Sequence, residues 1–383
     1  MAGQVRCLWI VPRFHTNQIG WVTTLQSQSV HVEMLVCSIG ATEDHGCLTP
    51  VALPESCVSA LLRRVLGDGG PNRRRYFPNL WSLWSHLNLV RPDLVVIRPH
   101  GLVFTMMAGI LARVRGVRVV LYRQEVPPPT RSLMFWARRP RLLIYSLLLR
   151  CISPITFTPI WDSGSEPSRL PPGWKIVPFV VPLIAAGVEQ GEATPIRLVT
   201  IGKFVPRKRL DLLLQAMARL VAEGAPIALD VIGECSSASH ERELESLQAL
   251  ARQLALDDRV RWHPNVEPQR VSAYLCRAHL FVLPAQDEPA SVALIEALGC
   301  GLPVVCSDSC GTRCYVQPGI TGEVFACGSV DSLVASLATL IADLPALAAR
   351  GRAARESAAG LASRGAFLDR FLPMMPNRPV ARS

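Results

Sequence analysis

Short, unbroken Val/Ile/Leu runs alternate with helix-period segments along almost the whole chain, and this alternation limits the folds open to it. In the second half, "IRLVTIG" precedes a helical pattern at 209–223 and "IALDVIG" one at 240–254. "RVRW", "LFVLP" and "PVVCS" precede helical patterns at 268–277, 291–299 and 330–343. In the first half, "VRCLWIVP", "HVEMLVCSIG", "DLVVIRP" and "VRVVLYR" read as strands, while "NQIGWVTTLQSQ", 103–115 and 132–150 read as helices. Strands without polar alternation are buried on both faces, as in parallel sheets covered by helices. Two such series predict an α/β protein with two Rossmann-like, doubly wound domains. The 383 residues suit two cores better than one. The expected boundaries are 1–180 and 195–360, separated by the Gly-, Glu- and Pro-containing "VVPLIAAGVEQGEATP", with a helix and tail at 361–383.

Hydrophobic residues make up 49% of the chain and charged residues 18%, which excludes a disordered polymer. No apolar run reaches the roughly 18–20 residues that span a bilayer. The net charge of +10 is unevenly placed: residues 1–180 hold 20 basic and 9 acidic side chains (+11), and 181–383 hold 20 and 21 (−1). A basic first half points to an anionic partner. "NRRRYFPNLWSLW" (72–84) and "RSLMFWARRPRLLIYSLLLR" (131–150) mix Arg with aromatic and aliphatic side chains, which suits either a peripheral membrane contact or a helix packed on the sheet. No nucleic-acid-binding motif accompanies the charge. The twelve cysteines lie mostly in apolar runs, as reduced buried thiols do, and the N-terminal run is shorter than a secretory signal, so the expected compartment is the cytoplasm. Cys306-x3-Cys310-x3-Cys314 has neither a CxxC spacing nor a neighbouring His, and no metal site is expected.

Only three of the 40 basic residues are lysines, and two of them, Lys203 and Lys208, fall within six residues of each other. They follow a strand ending at Gly202 and precede a helix. Loops at the carboxyl ends of parallel strands are where doubly wound sheets bind ligands. Gly202, Lys203, Arg207 and Lys208 beside a helix N-terminus fit a diphosphate, although a solvated basic turn has the same composition. About 80 residues later, "DEPASVALIEALGCGLPVV" places Glu288 in another such loop, Ser291 at a helix N-cap, and Val292 and Glu296 in the helix. A carboxylate on a mostly inward helix face costs several kcal/mol unless a partner or ligand satisfies it. Carboxylates pair well with the vicinal diols of sugars; a glutamate at the edge of an amphipathic helix is the plainer reading.

Taken together, the basic loop, "VIGEC", "YLCRAHLFVLPAQDEPASVALIEALGCGLPVVCSDSCG" and "GITGEVF" resemble the retaining family-4 glycosyltransferases, continuously over about 196–345. The resemblance implies the GT-B architecture, two Rossmann-like domains facing across a cleft, with the nucleotide-sugar donor (UDP- or GDP-linked) in the C-terminal domain. It implies that Lys203, Arg207 and Lys208 bind the donor diphosphate, that Glu288 touches the transferred sugar and that Glu296 binds the ribose. It also implies sugar transfer with retention to a hydroxyl acceptor, a lipid-linked or polysaccharide precursor, with no cofactor and no required metal; Glu288, Lys208 and Lys203 would carry the catalytic roles. Several positions depart from the family pattern. Lys203 stands for a usual Arg, Ser291 for a usual Gly, and His263-Pro264 in "RWHPNVEP" for a usual Gly in the base-recognition loop. In the acceptor domain, the glycine-rich first loop retains only Gly20, and Arg123, Gln124 and Glu125 occupy the place of a usual histidine. Glu125 is the candidate polar group there; His15 and His100 read as loop histidines. These departures leave open an inactive relative acting as a binding or scaffold protein, or another GT-B reaction such as phosphorolysis or epimerisation.

Overall fold

The computed structural model describes residues 4–39, 46–67, 77–99, 102–125, 140–161, 170–183 and 195–376. Their chain path divides into two compact units. One comprises Met1–Pro159, Gly164–Val180 and Arg364–Ser383, and the other Ile160–Ser163 and Val181–Ser363.

The first unit holds a parallel sheet of β1 (Arg6–Val11), β2 (His31–Val36), β3 (Val51–Ala52), β4 (Leu94–Ile97), β5 (Arg118–Tyr122), β6 (Thr156–Thr158) and β7 (Trp174–Ile176), in the order 3-2-1-4-5-6-7. Its helices are α1 (Ile19–Ser27), α2 (Cys57–Leu66), α3 (Leu80–Val90), α4 (Leu102–Val114) and α5 (Pro140–Ile152). Side-chain alternation along the strands sorts the core into two faces. Leu8, Ile10, Val95, Ile97, Val119 and Leu121 join Leu83 and Leu87 of α3 and Ala108 and Ala112 of α4. Trp9 and Tyr122 point the other way, into rings from Trp21 of α1, Phe157 and Phe179. Phe367 and Phe371 complete this face, stacked on Trp21 and Trp9 at centroid separations of 6.1 and 6.2 Å. Those two belong to the C-terminal segment expected as a helix and tail; its helix is built into the first unit's core.

The second unit contains β8 (Ile196–Lys203), β9 (Ile227–Glu234), β10 (Val260–Pro264), β11 (Leu280–Leu283), β12 (Val304–Ser307) and β13 (Gly322–Phe325). All pair in parallel, in the order 10-9-8-11-12-13. Renumbered within the unit this is 3-2-1-4-5-6, the dinucleotide-binding order of doubly wound sheets. Helices α6 (Leu210–Ala222), α7 (Ala238–Gln253), α8 (Pro268–Arg277), α9 (Val292–Gly299), α10 (Val330–Ile341) and α11 (Leu344–Leu361) follow in turn, and α12 (Arg364–Phe371) returns to the first unit. The core is aliphatic: Leu198, Leu229, Val282 and Val305 of the sheet meet Leu213 and Met217 of α6 and Leu333 and Leu337 of α10. Gly301, with φ of +78°, turns the chain out of α9 into β12, a left-handed position that favours glycine.

Candidate active site at the second unit's switch point

The strand order reverses between β8 and β11, so the helices that follow these neighbours leave to opposite sides and their first loops diverge around a crevice. Both sequence-predicted loops start there. After β8, Pro206–Lys208 forms a single 3-10 turn, and Arg209 then takes a left-handed φ of +50° before α6 begins. After β11, Asp287 is also left-handed, at +51°. Non-glycine residues in this conformation cost about 1–3 kcal/mol and persist where surrounding contacts impose them. Here each stands beside a charged residue of the site. The Gln286 N–H donates to the Arg207 carbonyl at 2.8 Å and stitches the two loops together. The Gly311 N–H donates to the Glu288 carbonyl at 2.8 Å and ties in the loop after β12.

The structure brings Glu288, Arg207 and Lys208 into one cluster. Lys208 Nζ donates to Glu288 Oε2 at 2.7 Å, and Arg207 Nη1 donates to the same oxygen at 2.5 Å. Glu288 and Lys208 are buried, whereas Arg207 is half-exposed. Burial alone would raise the Glu288 pKa, but Lys208 and then Arg207 outweigh it and hold the carboxyl below its usual range. Gly202 has a specific steric reason: a Cβ there would sit 2.8 Å from Lys208 Cε and 3.2 Å from its Nζ, so glycine leaves the lysine its channel.

Lys203 lies apart from this trio. It closes β8 opposite Glu234, which closes β9, and its Nζ lies 2.7 Å from Glu234 Oε2. Burial acts to raise the Glu234 pKa, yet the bonds from Lys203 and Ser236 bring it below the ordinary value. Sequence reasoning quoted "VIGEC" without singling out Glu234, although "TIGK" and "VIGE" are in-register neighbours. Ser291 occupies the N-cap of α9, but its hydroxyl makes no capping bond, so it leaves the N–H groups of the Val292 turn open. On the same helix Glu296 has no side-chain partner among the described residues, and burial lifts its pKa. His263 lies at the end of β10, with Nε2 2.7 Å from Asp230 Oδ1 and Nδ1 3.3 Å from the Tyr274 hydroxyl. Cys306 in β12 and Cys310 and Cys314 in the segment after it are buried free thiols. Among the described residues, no group of three or more His, Cys, Asp or Glu side chains could hold a metal ion.

The acceptor-side candidates of the first unit take other positions. Gly20 is inside α1, where a Cβ would come within 2.1 Å of the Val180 carbonyl oxygen, so it serves helix packing. Glu125 is half-exposed and pairs with Arg123. His100 is outside the described residues, as are 72–76 and 131–139 of the two basic–aromatic segments.

Residues 188–357 match the family described as Glycosyl transferases group 1. The match spans 170 of the 383 residues and coincides with most of the second unit. The chain is 30% identical over 174 residues to a D-inositol 3-phosphate glycosyltransferase of Gordonia bronchialis. It is 25% identical over 185 residues to the lipopolysaccharide core biosynthesis glycosyltransferase LpsE of Rhizobium meliloti. These matches cover 44% and 48% of this chain and 37% and 50% of the relatives, so the chain spans at most about half the length of the relatives. Among solved structures it resembles Anabaena Alr3699/HepE in complex with UDP and glucose, with TM-score 0.69, 12% identity, and 94% and 97% of the two chains covered. A glycosyltransferase from Rickettsia africae gives TM-score 0.71 and 11% identity, with 97% of each chain covered. At such identities the likeness concerns the fold, which is of the GT-B class with two Rossmann-like units.

Proposed function

We propose that this protein is a group 1 glycosyltransferase that moves a sugar from a UDP- or GDP-linked donor to a hydroxyl acceptor with retention. The observation that carries the reading is the Glu288–Lys208–Arg207 cluster, two of its members buried, at the switch point of the second sheet. Lys208 can donate three hydrogen bonds and Arg207 five, so both can keep Glu288 and still address a diphosphate. As the sugar C1–O bond breaks, its electron pair goes to the diphosphate oxygen, where these cations neutralise the developing charge. The acceptor oxygen bonds to C1 on the same face and its proton passes to the departing diphosphate. In this reading the positive side chains take the part that a metal plays in other enzymes, and none is required.

Glu288 is unsuited to shuttle that proton. A carboxyl held below its usual range is a weak base at neutral pH, and general bases work best with a pKa near the operating pH. It serves as a fixed hydrogen-bond acceptor for hydroxyls of the transferred sugar. Glu296, lacking a partner, is open to the ribose diol, and the uncapped first turn of α9 to phosphate.

The acceptor is a lipid-linked or polysaccharide precursor in this reading, met by the cytoplasmic protein at the inner membrane face. No single described helix is long and apolar enough to cross a membrane. Peripheral contact has support in α2, whose Ser59 and Arg63 bond Glu55 while Val58, Leu61, Val65 and Leu66 are 56–72% exposed.

Calorimetric titration with UDP and GDP tests the donor site. One nucleotide is expected to bind and to bind at least tenfold more weakly to Lys208→Ala; no binding of either would sink the assignment. Loss of transfer in Glu288→Ala, with the product anomer read by NMR, tests the chemistry.

A further inference from the structure

The first sheet has its own order reversal, between β1 and β4, and a second polar cluster stands at its carboxyl end. Ile97 pairs with Leu121, so one residue further on Arg98 stands level with Tyr122, on the aromatic face. The Arg98 guanidinium carbon is 5.8 Å from the centre of the Tyr122 ring. Its Nη2 donates to Gln124 Oε1 at 2.6 Å. Arginine only donates, so Gln124 must turn its oxygen to Arg98 and its NH2 group away.

Much of this cluster is left unpaired. Arg98 Nη1, Gln124 Nε2, the Tyr122 hydroxyl and Trp9 Nε1 are all buried without a well-formed hydrogen bond, although Gln124 lies close enough to the Tyr122 hydroxyl, and Trp9 to the Cys7 thiol, to act on their pKa values. Asn17 Oδ1 and Gln18 Nε2 share that state, just ahead of Trp21, whose ring lies 5.0 Å from Tyr122. Six of the seven such atoms among the described residues therefore belong to this one face and the start of the helix covering it. No described carboxylate pairs with Arg98; Glu125, next to Gln124, is bonded to Arg123. Buried polar atoms are normally satisfied, and a part-buried guanidinium with one nitrogen buried and unbonded is costly. A concentration of such atoms where doubly wound sheets bind ligands marks a site built for an absent partner.

We infer that Arg98, Gln124 and Tyr122 form an oxyanion subsite, so that the acceptor of this protein carries a phosphate or carboxylate besides its reacting hydroxyl. Arg98 supplies the charge, Gln124 and Tyr122 supply further N–H and O–H donors, and Asn17 Oδ1 accepts from a hydroxyl on the same molecule. Only the word acceptor rests on the glycosyltransferase reading; the oxyanion site stands on its own geometry.

The test is titration of the full chain with inorganic phosphate, with acetate, and with phosphatidic acid vesicles, comparing wild type with Arg98→Met and Arg98→Lys. Loss of at least tenfold in affinity for one of these ligands in Arg98→Met, partly restored in Arg98→Lys, is expected. Phosphate against acetate distinguishes the anion, and vesicles against free phosphate distinguish a lipid headgroup from a soluble group. Arg98→Met should also melt higher than wild type without ligand, since it removes a part-buried charge whose Nη1 has no hydrogen-bond partner. If Arg98 is instead a packing strut, Arg98→Met melts lower and keeps wild-type affinity for all three ligands, which overturns the proposal. UDP and GDP titrations of the same variants are expected to be unchanged. Failure of both nucleotides to bind wild type would defeat the donor assignment and leave the oxyanion result standing.

Discussion

Glu288 and Glu296 are eight positions apart in sequence and titrate in opposite directions. The Glu288 carboxyl is held below its ordinary value, so the ion cluster stabilises the fold above the ordinary carboxyl range and loses that stabilisation as pH falls through the lowered value. Glu288→Gln leaves Lys208 buried without its counter-charge, at a cost of about 3–5 kcal/mol at neutral pH, and the difference from wild type should shrink on acidification. Urea denaturation at neutral and acidic pH checks both statements. Glu296 is the reverse case: its raised value means that stability falls as pH rises from the ordinary carboxyl range through that value. Glu296→Gln should raise the neutral-pH Tm of the ligand-free protein, lose that gain on acidification, and weaken nucleotide binding. A lower Tm would show that the carboxylate has a structural partner. The placement of Glu288 and of the basic loop was legible in sequence because each follows a strand's carboxyl end, and strands announce themselves through unbroken apolar runs. Glu296 was legible as a carboxylate within a mostly apolar helix. Arg98 and Gln124 were not legible as a pair. They are 26 residues apart in different loops, and only the β4–β5 register brings them together.

At the scale of elements, the sequence was most informative where a segment is buried on both faces or along a full stripe. β11 and β12 are completely buried and were readable as continuous runs, and α8 begins and ends at the expected residues. The short strands β3, β6 and β7, two or three residues each, carry too little pattern to register. Helix α2, to which no sequence expectation was attached, has its polar side tied down and its apolar side facing outward. Ser59 and Arg63 hold Glu55, and the Ser56 hydroxyl caps the helix by accepting from the Ser59 N–H. A binary pattern alone assigns the apolar side to the core. Exposed apolar helix faces mark contact surfaces, and α2 also carries Arg63 and Arg64. Leu61→Asp with Val65→Asp should cut co-sedimentation with anionic vesicles at least fivefold and leave UDP or GDP binding unchanged. Equal sedimentation of the double variant and wild type would remove α2 from any membrane contact.

At the scale of the whole molecule, the βαβ series revealed two doubly wound units and left the closing segment unassigned. After α11 the chain leaves the second unit, and α12 places Phe367 and Phe371 in the aromatic core of the first. "GAFLDRFLPMM" reads as a helix, but its partners Trp9 and Trp21 precede it by more than 300 residues, and no local pattern encodes so distant a contact. The dependence has a measurable consequence. Both phenylalanines are fully buried, and their rings stack on indoles that α12 shields from water. Phe→Ala changes in cores cost about 3–5 kcal/mol, because burial is lost and the cavity closes only in part. Phe371→Ala should therefore destabilise the first unit by that amount, with the loss reported by tryptophan fluorescence of Trp9 and Trp21. Glu288 and Glu296 belong to the second unit, whose core is built from its own aliphatic side chains, so nucleotide binding there should be unchanged at temperatures where the first unit of the variant remains folded. On heating, fluorescence of the aromatic cluster should change before nucleotide binding is lost. A single transition reported together by both probes would instead show that the two units unfold as one.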